Sequence, residues 1–202
     1  MTRRLLFLPG AGGDPGFWRP LGDLLAGEWE KIYFAWPGLG DQEARPDVNS
    51  FDDLVRMVES ALGESPVDLF AQSMGGLVGA RIAITHPGRV RRLVLAATTA
   101  GGVNAADYGA HDWRPEYRRD HPLAAAWIAD PGLDFRNDLR RVTQPTLLLW
   151  GGADPICPVA VGEALAGIIP DARLAVVDGG DHGFVRDRPG DFIDAVRRHI
   201  GW

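Results

Sequence analysis

Ser73 is the first residue whose setting suggests chemistry. It stands in Val67-Asp68-Leu69-Phe70-Ala71-Gln72-Ser73-Met74-Gly75-Gly76, an apolar run that passes straight into a serine and two glycines. A hydroxyl on a sharp strand-to-helix turn is held clear of both backbones, where a base can reach it. Small residues must flank such a turn because strand and helix pass close together, and Gly75 meets that need. The residue after the serine, Met74, would carry its N–H at the start of the following helix. There it can donate to an oxyanion, helped by the helix dipole. Ala71 takes the first position of the pattern G-x-S-x-G, one methyl group larger than glycine. The competing role for Ser73 is that of a helix N-cap.

A serine nucleophile needs a base, and the base needs an acid to orient it. Asp154 closes Gln144-Pro145-Thr146-Leu147-Leu148-Leu149-Trp150-Gly151-Gly152-Ala153-Asp154, an apolar strand ending in glycines. A carboxylate at a C-terminal strand end faces the ligand crevice of a parallel sheet. Its alternative role is to cap the helix after Pro158. His182 lies in Val177-Asp178-Gly179-Gly180-Asp181-His182-Gly183-Phe184, a glycine-rich loop after the last apolar run. Of the five histidines it alone sits just past a strand end; His86 and His199 fall on helices, and His111 and His121 in a long connection. Asp178 and Asp181 are rival acids, but such near neighbours rarely reach the ring and more often shape the turn.

The loop Leu8-Pro9-Gly10-Ala11-Gly12-Gly13-Asp14-Pro15 follows the first strand. A dinucleotide-binding G-x-G-x-x-G starting at Gly10 requires glycine at position 15, where Pro15 stands. A glycine-rich turn here can instead present a backbone N–H toward the serine, and the Ala11 N–H is the candidate second oxyanion donor. Cys157 is the only cysteine. It has no internal disulfide partner, which fits a reducing compartment. Its setting reads as a loop around an acid more than as a thiol nucleophile. The histidines lack a metal-ligand spacing, so no metal and no cofactor is expected.

These residues require a frame. Short apolar runs alternate with amphipathic stretches, the rhythm of βα units and a parallel sheet. Strands are expected at Leu5–Leu8, Lys31–Ala35, Val67–Ala71, Arg92–Ala97, Thr146–Trp150 and Arg173–Val177. Helices are expected over Phe17–Ala26, Phe51–Leu62 behind a Ser50 cap, Met74–His86, Pro158–Gly167 and Pro189–His199. The stretch 99–143 breaks the rhythm. It carries Tyr108, Trp113, Tyr117 and Trp127, and a helical-looking run Leu123–Ile128. A connection this long usually has a function, and it is expected to be a small cap inserted into a core of residues 1–98 and 144–202.

The chain has 202 residues, 46% hydrophobic and 24% charged, with a formal net charge of -6. That balance suits one globular domain and argues against nucleic acid, whose phosphates demand a basic face. Arg3-Arg4 before Leu5–Leu8 is too short an apolar run for a signal peptide, and no stretch approaches membrane-span length. A cytoplasmic protein without membrane or nucleic-acid partners is expected.

Taken together, the chain resembles the α/β-hydrolase superfamily, in particular its small bacterial carboxylesterases. The resemblance rests on the Ser73 turn, on His86-Pro87-Gly88-Arg89-Val90, on the acid loop Gly151 to Pro158 in the pattern G-x-x-D-x-x-x-P, on His182, and on the order serine, acid, histidine. Pro9-Gly10 stands where the family usually has His-Gly. Leu5–Leu8 takes the place of the family's third strand. The resemblance implies a mostly parallel six-stranded sheet of order 2-1-3-4-5-6, helices on both faces and a short helical cap. It leaves the second strand at an edge, available to a second copy as a homodimer. It also implies hydrolysis of a small acyl substrate by Ser73, His182 and Asp154. Thioesters, lactones, C–C bonds and lyase reactions use the same triad in relatives, and a non-catalytic binding protein or a flavodoxin-like nucleotide binder are readings from other classes. Phe17, Trp113, Trp127, Ile156 and Phe184 are candidates for an apolar acyl pocket, with core packing as the alternative for each.

Overall fold

The computed structural model describes residues 3–129 and 132–202. Residues 1 and 2 of the expected core, and 130 and 131 of the expected cap, lie outside them. Among the described residues, six strands form one sheet: β1 (Arg3–Leu8), β2 (Trp29–Tyr33), β3 (Val67–Gln72), β4 (Val90–Ala96), β5 (Thr146–Gly151) and β6 (Ala172–Val177). Their order is β2-β1-β3-β4-β5-β6, and every neighbouring pair is parallel. All residues of β3 and β5 are buried. This is why the middle of the sheet reads as continuous apolar runs rather than alternation.

Among the described residues, seven α-helices accompany the sheet: α1 (Arg19–Leu24), α2 (Phe51–Ala61), α3 (Met74–Thr85), α4 (Arg114–Asp120), α5 (Val159–Ala166), α6 (Phe184–Asp187) and α7 (Ile193–Ile200). α2 packs with α3, while α1 packs with α6 and with the turn Pro189–Asp191 that leads into α7. These two groups cover the two faces of the sheet. Parallel strands with right-handed crossovers bring every β-to-α loop to one end. Buried tryptophans tie those loops down through their indole N–H groups: Trp18 to the Leu8 carbonyl, Trp36 to Pro9, and Trp150 to Cys157.

The structure departs from expectation at several element boundaries, among them β4, which starts at Val90, α1, which is confined to Arg19–Leu24, and the last helix, which is a 3₁₀ turn at Pro189–Asp191 followed by α7, and more clearly at the following places. β2 starts two residues earlier than the apolar run suggests and ends at Tyr33, in register with Arg3–Phe7 of β1. An edge strand is only half covered, so apolarity marks its buried end rather than its ladder. Leu123–Ile128 is not a helix. Leu123 is 95% exposed, the Ala125 N–H goes to the Gly38 carbonyl, and only a 3₁₀ turn forms at Ala126–Ala129. The helix of this connection is instead the charged α4, opened by Pro115. Among the described residues, 99–143 contain no strand.

Candidate active site

The β3–α3 turn holds Ser73 at φ 52° and ψ -120°, a backbone conformation an L-residue rarely adopts. Such a conformation costs on the order of 1–3 kcal/mol and survives only where surroundings fix it. Here the Ser73 N–H donates to the Ala96 carbonyl at 2.9 Å. The Ser73 carbonyl accepts from the Gly76 N–H at 2.9 Å and from the Thr98 hydroxyl at 2.6 Å. Gly75 is required by close approach: a Cβ there would lie 2.3 Å from the Pro9 carbonyl oxygen and 2.8 Å from that of Leu8. Nothing in the sequence singled out Thr98, since its role depends on β4 lying beside β3.

Ser73, His182 and Asp154 form a hydrogen-bonded chain. The Asp154 side chain is fully buried. Its Oδ1 accepts from the Ile156 N–H at 2.8 Å and the Cys157 N–H at 2.9 Å. Its Oδ2 lies 2.7 Å from His182 Nδ1, and His182 Nε2 lies 3.0 Å from Ser73 Oγ. With a carboxylate on Nδ1, that nitrogen carries the proton and Nε2 is left to accept from the serine hydroxyl. The buried Gln72 places Nε2 3.3 Å from the same ring nitrogen and 3.4 Å from the His182 carbonyl oxygen.

The rival groups lie elsewhere. Asp178 and Asp181 are exposed; the Asp178 carbonyl accepts from Arg188, and the Asp181 carboxylate accepts from the Gly183 N–H. His86, His111 and His121 face Glu59, Glu116 and Asp41, and His199 faces the Leu93 carbonyl. Burial, reinforced by the neighbouring Asp154, pushes the Cys157 thiol up, against a smaller lowering by Trp150. A thiol held protonated is a poor nucleophile.

Ser73 and His182 open into a cavity of about 710 Å³ beneath the 99–143 connection. Its wall includes Met74, Leu77, Val103, Trp113, Ile128 and Ile156. Of the five pocket candidates, only Trp113 and Ile156 line it. Phe184 is instead fully buried against Phe192, with ring centroids 5.5 Å apart. Phe17 packs edge-on to Trp18 at 5.8 Å, and Trp127 packs against the core. These three follow the commoner fate of an aromatic side chain, which gains most by joining the main core. Of the two oxyanion candidates, Met74 is part of the cavity wall, and Ala11 sits on a turn that abuts the serine. A Cβ on Gly10 would lie 3.1 Å from Ser73 Cβ.

The family model described as the alpha/beta hydrolase fold matches residues 3–126, more than half of the 202 residues. The chain belongs to the α/β-hydrolase family. A second model, described as TAP-like protein, matches residues 116–199. The chain is similar to a pimeloyl-[acyl-carrier protein] methyl ester esterase of Aromatoleum aromaticum, 31% identical over 93% of this chain and 94% of the relative. It is 27% identical to a poly(3-hydroxyalkanoate) depolymerase of Ectopseudomonas oleovorans, over 87% of this chain and 77% of that one. A hydrolase from Pseudomonas aeruginosa has the same fold, with a TM-score of 0.78 at 23% identity over 100% of this chain and 91% of the other. This α/β-hydrolase is an enzyme of the hydrolase class. No helix among its described residues is long and apolar enough to cross a membrane.

Proposed function

We propose that the protein hydrolyses a carboxylic ester through an acyl-enzyme on Ser73. The observation that carries this reading is the chain Asp154 Oδ2, His182 Nδ1, His182 Nε2, Ser73 Oγ, with links of 2.7 and 3.0 Å opening on the cavity. The Ser73 hydroxyl attacks the ester carbonyl carbon as its proton passes to His182 Nε2. The oxygen of the tetrahedral intermediate takes the N–H groups of Met74 and Ala11. Collapse expels the alkoxide, which takes the proton from Nε2. Water then attacks the acyl carbon as one of its protons passes to Nε2, and collapse of this second intermediate returns that proton to Ser73 Oγ as the carboxylic acid leaves. Asp154 holds the ring in the required tautomer throughout. The cavity volume lies within the range of small-molecule sites, and the apolar part of its mixed wall, with Met74, Leu77, Val103, Ile128 and Ile156, suits an acyl chain. The ester preference is supported by two relatives, one named a methyl ester esterase and the other a poly(3-hydroxyalkanoate) depolymerase.

The test is a panel of p-nitrophenyl esters, thioesters and lactones, with a fluorophosphonate probe in parallel. Esters are expected to turn over best, with the probe on Ser73. Ser73→Ala should lose both signals, with a drop in kcat of about 10⁴-fold or more at unchanged melting temperature. Labelling of another residue, or retained turnover in Ser73→Ala, refutes the assignment.

A further inference from the structure

Building on that reading, we propose that Thr98 is a positioning residue: its hydroxyl holds the Ser73–Met74 peptide in the orientation that offers the Met74 N–H to the oxyanion. A trans peptide is planar, so its carbonyl and its N–H point in opposite directions and turn together. Fixing the Ser73 carbonyl therefore fixes the direction of the Met74 N–H. Met74 is the first residue of α3, so that N–H has no acceptor within the helix. Such a donor stabilises developing charge only when it is already in place.

The turn is poorly suited to hold this peptide unaided. Ser73 sits at φ 52° and ψ -120°. The rotation about ψ that leads out of this conformation is the motion that turns the Ser73–Met74 peptide. The end of β4 opposes it on both sides of the serine. The Ser73 N–H, on the preceding peptide, donates to the Ala96 carbonyl at 2.9 Å. The Ser73 carbonyl, on the following one, accepts from the Thr98 hydroxyl at 2.6 Å. The Gly76 N–H also reaches that carbonyl, at 2.9 Å, but it belongs to the same helix end and moves with it. Thr98 is the anchor outside the helix.

Thr98 is itself firmly held. It is buried, and its hydroxyl oxygen accepts from the Ala100 N–H at 3.1 Å. Its single proton is committed to the Ser73 carbonyl, so none is left to donate to a substrate. Ala97 before it and Ala100 after it have φ of 45° and 49°. With Ser73 they are the non-glycine residues of positive φ among the described ones. Strain of this kind persists only where surroundings fix it, and it clusters at functional sites. Here it is confined to the serine and to the corner that carries Thr98. Gly76 answers to the same side chain: a Cβ there would lie 2.3 Å from Thr98 Oγ1 and 2.5 Å from Thr98 Cβ.

The experiment compares wild type, Thr98→Ala, Thr98→Ser and Ile82→Val, using a p-nitrophenyl ester that wild type turns over. Alanine and serine both remove the threonine methyl group, so the difference between them reports the hydroxyl alone. Ile82 is buried two turns further along α3, and its truncation loosens the packing of the helix without touching the turn. A trifluoromethyl ketone, which places an oxyanion on its adduct with Ser73, reads the oxyanion site directly. Thr98→Ala should lower kcat about tenfold, leave KM within about twofold, and weaken the ketone by about the same factor as kcat. Thr98→Ser should stay within about threefold of wild type in both kcat and ketone affinity. Ile82→Val should lower the melting temperature and keep both. Wild-type kcat and ketone affinity in Thr98→Ala, a loss confined to KM, a fall in kcat with unchanged ketone affinity, or an equal loss in Thr98→Ser or Ile82→Val would each overturn the proposal while leaving the ester reading intact. If wild type neither takes the fluorophosphonate on Ser73 nor cleaves any ester, the hydrolase reading itself falls, and the role of Thr98 with it.

Discussion

Asp154→Asn separates the geometric from the electrical contribution of the buried acid. The replacement is nearly isosteric, but one oxygen becomes an NH₂ group. Asp154 Oδ1 faces two backbone donors, the N–H groups of Ile156 and Cys157, at 2.8 and 2.9 Å. Turning the NH₂ toward them would set donors against donors at two contacts. The amide therefore keeps its oxygen there and presents NH₂ to His182 Nδ1, 2.7 Å away in the native protein. Nδ1 must then accept, the ring proton moves to Nε2, and Nε2 can no longer take the proton of Ser73. The expected loss in kcat is about 10³–10⁴-fold, or about 4–5.5 kcal/mol of barrier. The fold loses the charge assistance of these three contacts but no longer buries a charge, a net cost on the order of 1–2 kcal/mol. Stopped-flow acylation by a p-nitrophenyl ester would measure the first quantity and thermal denaturation the second. Asp178→Asn, a change on an exposed acid outside the chain of contacts, is the control and should be silent. Retention of more than a tenth of wild-type kcat in Asp154→Asn, or the larger loss in Asp178→Asn, refutes the reasoning.

Gly75→Ala should damage activity more than stability. Its Cβ would press on the backbone of Leu8 and Pro9, so α3 must move away from the end of β1 by a fraction of an ångström or more. A kcat loss of about 10²-fold is expected, with a destabilisation of about 1–3 kcal/mol by denaturant titration; wild-type kinetics would show that the contact relaxes harmlessly. His199 gives the fold an acid-sensitive element. Burial, reinforced by Arg92 and Arg173 and opposed by the Leu93 hydrogen bond and Asp171, lowers it to about 4, against an ordinary value of about 6.5. The unfolded chain takes up a proton that the folded chain refuses. The stabilisation is therefore fully present above about pH 6.5 and disappears as pH falls toward 4, by about 2–3 kcal/mol in all. In urea titrations at pH 7 and 4.5, His199→Gln should lack this part of the acid loss, and equal pH dependence in the two proteins would contradict the assignment.

Much of this molecule is written locally in its chain. The buried strands β3 and β5 announce themselves because both faces are covered, so apolar residues run through them nearly without a break, Asp68 and Gln72 of β3 being buried exceptions. Ser73 and Asp154 are legible because each follows such a strand and His182 because it follows the edge strand β6, and parallel topology sends all C-terminal strand ends to one rim. The glycines beside them mark where backbones nearly touch. What the chain could not show is which side chains from distant segments share a neighbourhood. Phe17, Trp127 and Phe184 look as suitable for a pocket as Trp113 and Ile156, and only packing sends three to the core or its margin and two to the cavity wall. Thr98 carries no sequence signal, since it acts through β4 lying beside β3. Local sequence fixes periodicity and turn chemistry, whereas a hydrogen bond between residues a hundred positions apart exists only once the chain has folded around it.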